Sequence, residues 1–309
     1  MIVKERTKPV MLQILESLNY RSILTFSEKK DYLNQLKGYE GEVQFDDCLE
    51  KSPCNWLILN DLRLKENGTM VQLDALILTD DTIYLYEIKN YSGSYEYKED
   101  ALHARSDFVI VNPLTQVHRS QPFLYNLIRK LGYKLEVVPQ VVFIHPDFYL
   151  YHLPRDKPFL FLNQLSRHFE KLAEQHPSAT VTTKQLAKRL CELHVSDYRP
   201  LDLPEYEYTS LKKGVLCPVC FSFEHDNMRE TRICKGCGHK ESIAKAIIRS
   251  TEEFHLLFPD LKVTKNHIHD WCGKIYTEQR VQRALSGHFL SHSSRRFTYY
   301  AVDNPLLVK

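Results

Sequence analysis

Asp74, Glu87 and Lys89 are the residues whose types and spacing point most directly to chemistry. They lie in the segment VQLDALILTDDTIYLYEIK. If this segment is a hairpin closed by Asp80-Asp81, Asp74 falls directly opposite Glu87. Lys89 then points to the same face, because side chains alternate along a strand. That face also holds Leu76, Leu78, Ile83 and Leu85, and the opposite face Leu73, Ala75, Ile77, Tyr84, Tyr86 and Ile88. Both faces are apolar, as in strands covered on both sides. Two carboxylates facing each other there repel, and desolvation adds to the cost. A divalent cation relieves both. Mg²⁺ takes oxygen ligands and is often held by one or two carboxylates beside a phosphate. A lysine alongside can orient or activate an attacking water and stabilise charge developing on phosphate. The competing reading is a solvated Glu87–Lys89 pair at a strand end, with Asp74 at the surface, because D…ExK is short and common.

A second group is made of sulfur. Cys217, Cys220, Cys234 and Cys237 form CPVC and CKGCG, separated by 13 residues. Zn²⁺ takes four tetrahedral ligands, and two C-x-x-C knuckles supply them. Four thiolates leave no open position, so the metal expected here is structural Zn²⁺. Gly236 and Gly238 suit knuckle turns with positive φ. Cys48, Cys54, Cys191 and Cys272 are scattered and read as small buried residues.

These groups need elements to position them. A helix is expected from about Gly38 to Glu50, after a weakly patterned helical stretch at 9–36. Strands follow at 56–59, 71–78, 83–89 and 95–97, a helix at 113–131, a strand at 137–144, and helices at about 160–175 and 182–194. Pro113 opens the 113–131 helix and Gly132 ends it. This order predicts an α/β domain with a mixed sheet and helices packed against it. Residues 196–214, with two prolines and no helical period, read as a linker. After the cysteine module (215–241), which resembles a small zinc ribbon, three helices are expected within 242–309. Thr264 and Thr277 cap the second and third, and a two-strand hairpin follows. That is the order of a winged helix.

The tail 242–309 carries ten Lys+Arg against six Asp+Glu, whereas the whole chain is only +2. Arg280 and Arg283 on the third helix, and Arg295 and Arg296 in the hairpin turn, suit phosphate contacts. A helical protein–protein module with a solvated basic face is the alternative. The 43% hydrophobic content excludes a disordered chain. The charged N-terminus offers no secretory signal, and the apolar stretch 135–153 is broken by Pro139, His145, Pro146 and Asp147. A cytoplasmic protein with no membrane partner is expected.

Taken in order, GYEGE at 38–42, QLDALIL at 72–78, IYLYEIKN at 83–90 and NPLTQVHRS at 112–120 resemble the nuclease-related domain, NERD. This is a branch of the PD-(D/E)xK nuclease-like superfamily, and the resemblance covers about residues 36–150. It implies a restriction-endonuclease-like core in which Glu42, Asp74, Glu87 and Lys89 converge, with Gln116 nearby. Alone, Glu42 reads as an acidic residue favoured near a helix N-terminus, and Gln116 as a solvated helix residue. With the resemblance, the expectation is a nuclease using Mg²⁺ or Mn²⁺ on Asp74 and Glu87, acting on nucleic acid, DNA ahead of RNA. Residues 1–35 would be a helical lead-in, and 151–195 a helical extension of the core. The alternatives are a non-catalytic nucleic-acid-binding scaffold and an adaptor with no nucleic-acid role.

Overall fold

The computed structural model describes residues 1–52, 56–104, 109–176, 178–196, 198–200, 202–294 and 297–302. The chain forms two compact units, residues 1–9 with 34–196, and residues 10–33 with 197–309. Its elements begin β1 (Ile2–Lys4), α1 (Val10–Arg21), α2 (Phe26–Glu50), β2 (Leu57–Glu66), β3 (Thr69–Leu78) and β4 (Thr82–Lys89). There follow β5 (Gly93–Lys98), β6 (Ala101–Ala104), β7 (Val109–Val111), α3 (Leu114–Lys130), β8 (Glu136–Phe143), β9 (Phe148–Tyr151), β10 (Phe159–Phe161), α4 (Leu165–Gln175) and α5 (Val181–Glu192).

The first unit is built on a six-stranded mixed sheet, in the order β1-β2-β3-β4-β8-β10. The pairs β2–β3 and β3–β4 are antiparallel, while β4–β8, β8–β10 and β1–β2 are parallel. One face packs Leu76, Leu78, Ile83 and Leu85 against α3 (Val117, Leu124, Ile128) and α5 (Leu186, Leu190). The other packs Ala75, Ile77, Tyr84 and Tyr86 against α2 (Phe45, Leu49) and α4 (Leu165, Phe169). Burial on both faces explains why these strands read as continuous apolar runs. A smaller sheet, β7-β6-β5-β9, adds to the first of these cores through Tyr97, Leu102 and Phe148.

The structure corrects three sequence expectations here. α2 starts at Phe26, twelve residues before Gly38. A reciprocal cap starts it, with the Thr25 amide donating to Glu28 Oε2 and the Glu28 amide to Thr25 Oγ1. Residues 1–35 are not wholly helical, since β1 pairs with β2. Finally, Leu73 sits with Leu76 and Leu78, not with Ala75 and Ile77. Strict alternation fails on both β2 and β3 where their ladder skips Asp61, at φ +47°, and Asp74, between the pairs Asn60–Ala75 and Leu62–Leu73.

The second unit continues with β11 (His225–Asn227), β12 (Thr231–Cys234), β13 (Lys240–Ser242), α6 (Ile243–Leu257), α7 (Lys265–Trp271), α8 (Glu278–His288), β14 (Leu290–Ser294) and β15 (Phe297–Ala301). Ser242, Thr264 and Thr277 cap α6, α7 and α8 by accepting backbone amides. Phe254, Ile268, Trp271, Val281, Leu285 and Tyr300 form the core, together with Ile14 and Leu18 of α1. Val263 forms an antiparallel bridge to Tyr300 at the edge of the β14–β15 hairpin. Three helices and a hairpin therefore stand where the sequence placed them.

Residues 203–211 do not behave as a spacer. Leu203, Tyr206 and Tyr208 pack on this core with the buried Leu211, and Tyr208 donates to Asp270 at 2.6 Å. Aromatic bulk gives this stretch something to bury without any helical period. Arg21 ties it down further. Its guanidinium lies 4.1 Å from the centroid of Trp271, pairs with both oxygens of Glu253, and donates to the carbonyls of Lys212 and Gly214. No helix among the described residues is long and apolar enough to cross a membrane.

Candidate active site

The β3–β4 ladder has the register read from sequence, running from Leu78 opposite Ile83 to Ala75 opposite Tyr86. One step further, at Asp74 and Glu87, it stops. The Asp74 carboxylate takes over, with Oδ2 accepting the Ile88 amide at 2.8 Å. β4 meanwhile stays paired with β8 through Lys89. Two strands therefore part where their carboxylates stand, and a cleft opens beside them. Asp74 is 8% exposed and Glu87 3%.

Lys89 Nζ donates to Glu87 Oε1 at 2.6 Å and to Gln116 Oε1 at 3.0 Å, linking β4 to α3. Glu42 arrives from α2. Gly41 makes that approach possible, because a Cβ there would lie 2.5 Å from Asn90 Cβ and 3.0 Å from Ile144 Cγ2. Asn90 completes the junction by donating to the Lys37 carbonyl at 2.7 Å. Glu42, Asp74, Glu87, Lys89 and Gln116 all line one cleft of about 690 Å³. The structure thus brings together the five residues that the sequence singled out for this site.

Charge in this cleft is unbalanced toward the acids. Burial, then the Asp74 charge, pushes Glu87 up to about 8 against the pull of Lys89. The same two causes push Glu42 up to about 8, although Arg6 opposes them. Asp74 is also raised by burial, despite Lys89, the Ile88 amide and Arg6. Burial works against the Lys89 ammonium, but Glu87 and Asp74 outweigh it, and its pKa rises. A carboxylate set that disfavours its own ionisation is one that a hard divalent cation would stabilise. Asp74 and Glu87 offer carboxylate oxygens to this cleft, the ligand type that Mg²⁺ and Mn²⁺ take. The raised Lys89 suits a charged donor and not a neutral base.

Sequence reading missed Arg6, Asp46 and Asp61. Arg6 Nη1 meets Glu42 Oε2 at 2.5 Å, and Asp46 receives its Nε and Nη2 at 2.7 and 3.0 Å. Asp61, 5% exposed, is held by Gln72 Nε2 at 2.9 Å. A lone arginine near a terminus gives no spacing to read. Asp61 sits in NDLRL, where it resembles any strand-edge acid.

In the second unit, the sulfur atoms of Cys217, Cys220, Cys234 and Cys237 lie within 4.8 Å of one another. Cys217–Cys237 is 3.6 Å and Cys220–Cys234 is 3.4 Å, and none is in a disulfide. Tetrahedral Zn–S bonds of about 2.3 Å require sulfurs roughly 3.8 Å apart, so the cluster fits a tetrathiolate metal. Gly238 has the positive φ its turn needs, at +74°. Gly236, contrary to the expectation from sequence, does not have a positive φ, and a Cβ there would meet Cys220 Sγ at 3.4 Å, an ordinary contact. Of the tail arginines, Arg283 is exposed on α8. Arg280 is engaged, donating to Glu230 Oε1 at 2.9 Å and to the Arg229 carbonyl. Arg295 and Arg296 lie outside the described residues.

Residues 37–144 match the family model of the nuclease-related domain, NERD. The first unit thus contains a nuclease-related domain, and the cleft built from Glu42, Asp74, Glu87, Lys89 and Gln116 lies within the matched span. No curated protein matches the chain.

Proposed function

We propose that this chain is a divalent-metal-dependent nuclease that hydrolyses phosphodiester bonds of nucleic acid, with DNA the favoured substrate. The observation that carries the reading is the pair of buried carboxylates, Asp74 and Glu87, at the point where β3 and β4 separate, with Lys89 on Glu87. Asp74 and Glu87 would hold Mg²⁺ or Mn²⁺, with Glu42 beside them. When bound, such a cation neutralises phosphate charge and lowers the pKa of a water.

The chain's own groups supply the rest. Lys89 remains an ammonium between two acids and donates hydrogen bonds, which suits stabilising a phosphoryl oxygen or fixing a water's orientation. Gln116 Oε1 accepts a hydrogen bond from Lys89 Nζ and so limits where the ammonium points. Asp74, whose Oδ2 is tied to the Ile88 amide, is fixed in rotation. In the second unit, the cysteine cluster would hold structural Zn²⁺ and the winged-helix tail would grip nucleic acid, with Arg283 contributing.

Labelled duplex, single-stranded and branched DNA, and RNA, incubated with purified protein and Mg²⁺, Mn²⁺ or EDTA, test this reading. Cleavage of DNA that EDTA stops supports it. Salt-sensitive binding without cleavage in either metal would replace it with a nuclease-like binding scaffold.

A further inference from the structure

Arg6 makes more contacts with the candidate site than its place near the chain start would suggest. Its side chain is 3% exposed. One guanidinium edge is gripped by both oxygens of Asp46, one turn after Glu42 on α2. Nη1 reaches Glu42 Oε2 at 2.5 Å, and Nη2 reaches the carbonyl of Asp74 itself at 3.0 Å. A single rigid, five-donor fork therefore joins the two elements, α2 and β3, that bring acids to the cleft. Arginine suits this task because its donors are planar and fixed, so each bond restricts the position of its partner. β1 pairs with β2 through Ile2 and Lys4, which places Arg6 just beyond an anchored strand. Lys4 strengthens that anchor, donating to the carbonyls of Asn60 and Asp61 at 2.8 Å each.

We infer that Arg6 is a positioning residue of this site. It sets the Glu42 carboxylate against Asp74 so that the acids form one divalent-cation site, and Asp46 acts through it by holding the guanidinium. The inference rests on the metal-nuclease reading above. Residues that orient ligands, without touching the metal, commonly change metal affinity by about 10–100-fold when replaced. Arg6 belongs to that group, and not to the groups that would touch substrate.

The test is Mn²⁺ titration of the full chain by calorimetry, alongside steady-state cleavage. It compares wild type with Arg6→Met, Arg6→Lys, Asp46→Asn and the Arg6→Met/Asp46→Asn double variant. Mn²⁺ affinity should fall about 10–100-fold in Arg6→Met and less in Arg6→Lys and Asp46→Asn. The double variant should be no worse than Arg6→Met. At subsaturating metal, kcat should fall in the same order while KM for nucleic acid holds. A merely structural arginine would lower Tm and leave the metal affinity of the folded protein alone. Wild-type affinity in folded Arg6→Met overturns the inference. If that variant does not fold, wild-type affinity in both Arg6→Lys and Asp46→Asn overturns it. Wild-type protein that neither binds Mn²⁺ nor cleaves overturns the metal-nuclease reading and this inference with it, whereas metal binding indifferent to these substitutions removes the inference alone.

Discussion

Asp74 Oδ2 accepts the backbone amide of Ile88 at 2.8 Å, across the strands whose ladder ends one residue earlier, at Ala75 and Tyr86. A side chain thus fills the place of a ladder bond, so β3 and β4 separate without leaving that amide unpaired. The separation opens the cleft, and Glu87 stands at its wall. Burying acids here costs folding free energy that only compensating charge returns.

That cost sets a pH dependence. Glu87 and Glu42 are raised in the folded state to about 8, above their ordinary 4.5. A carboxyl raised on folding contributes stability below its unfolded pKa and loses it as pH rises through the folded value. Metal-free protein should therefore lose stability between about pH 5 and 8. Mn²⁺ should restore it, and Glu87→Gln should flatten the dependence. Thermal melts in EDTA across that range, with and without added Mn²⁺, check this. A shift of roughly 2–4 °C for each kcal/mol is the scale to look for.

Gly41 and Gly38 make a paired prediction on one helix. Gly41→Ala drives a Cβ to 2.5 Å from Asn90 Cβ, whereas at Gly38 nothing lies within 4 Å. Gly41→Ala should destabilise by about 1–3 kcal/mol in spite of the better helix former. Gly38→Ala should be neutral or stabilise by up to about 1 kcal/mol. Denaturant unfolding of both variants gives the comparison, and equal effects would contradict the close packing of α2 on β4.

The tetrathiolate cluster makes a metal-content prediction. Purified protein should carry about one equivalent of Zn²⁺ by elemental analysis, and Cys217→Ser or Cys234→Ser should lose it. Both cysteines are buried, 0% and 2% exposed. Their loss should therefore also lower the melting temperature of the second unit. Chelation of wild type should do the same.

Arg283 and Arg280 should differ. Arg283 is exposed, while Arg280 already donates to Glu230. Arg283→Ala should weaken nucleic-acid binding and reduce the salt slope by about one. Arg280→Ala should act less on the slope and more on stability. Affinity measured over a range of salt separates the two.

Much of this was legible in the chain. The Asp80-Asp81 turn and the apolar runs around it set the β3–β4 register, and with it the positions of Asp74 and Glu87. Two C-x-x-C pairs marked the cysteine cluster, and Thr264 and Thr277 marked helix starts that the structure keeps. What was not legible depends on contacts between distant parts of the chain. Arg6 meets Glu42 and Asp46 only because β1 pairs with β2. The face switch at Asp61 and Asp74 breaks the alternation from which Leu73 was assigned. Four short strands, β6, β7, β9 and β10, are three or four residues long, too brief for any period to show. The early start of α2 was the exception. Its signal, Thr25 three residues before Glu28, was present and local.

The most direct test of the account compares wild type with Glu87→Gln, whose side chain is nearly isosteric, in cleavage of labelled DNA as Mn²⁺ is titrated, with DNA binding measured in parallel. The account predicts metal-dependent cleavage by wild type, a loss of about 10²–10³ in rate for the variant, weaker Mn²⁺ binding and unchanged DNA affinity. Equal cleavage by the two proteins, or cleavage that persists in EDTA, would contradict it.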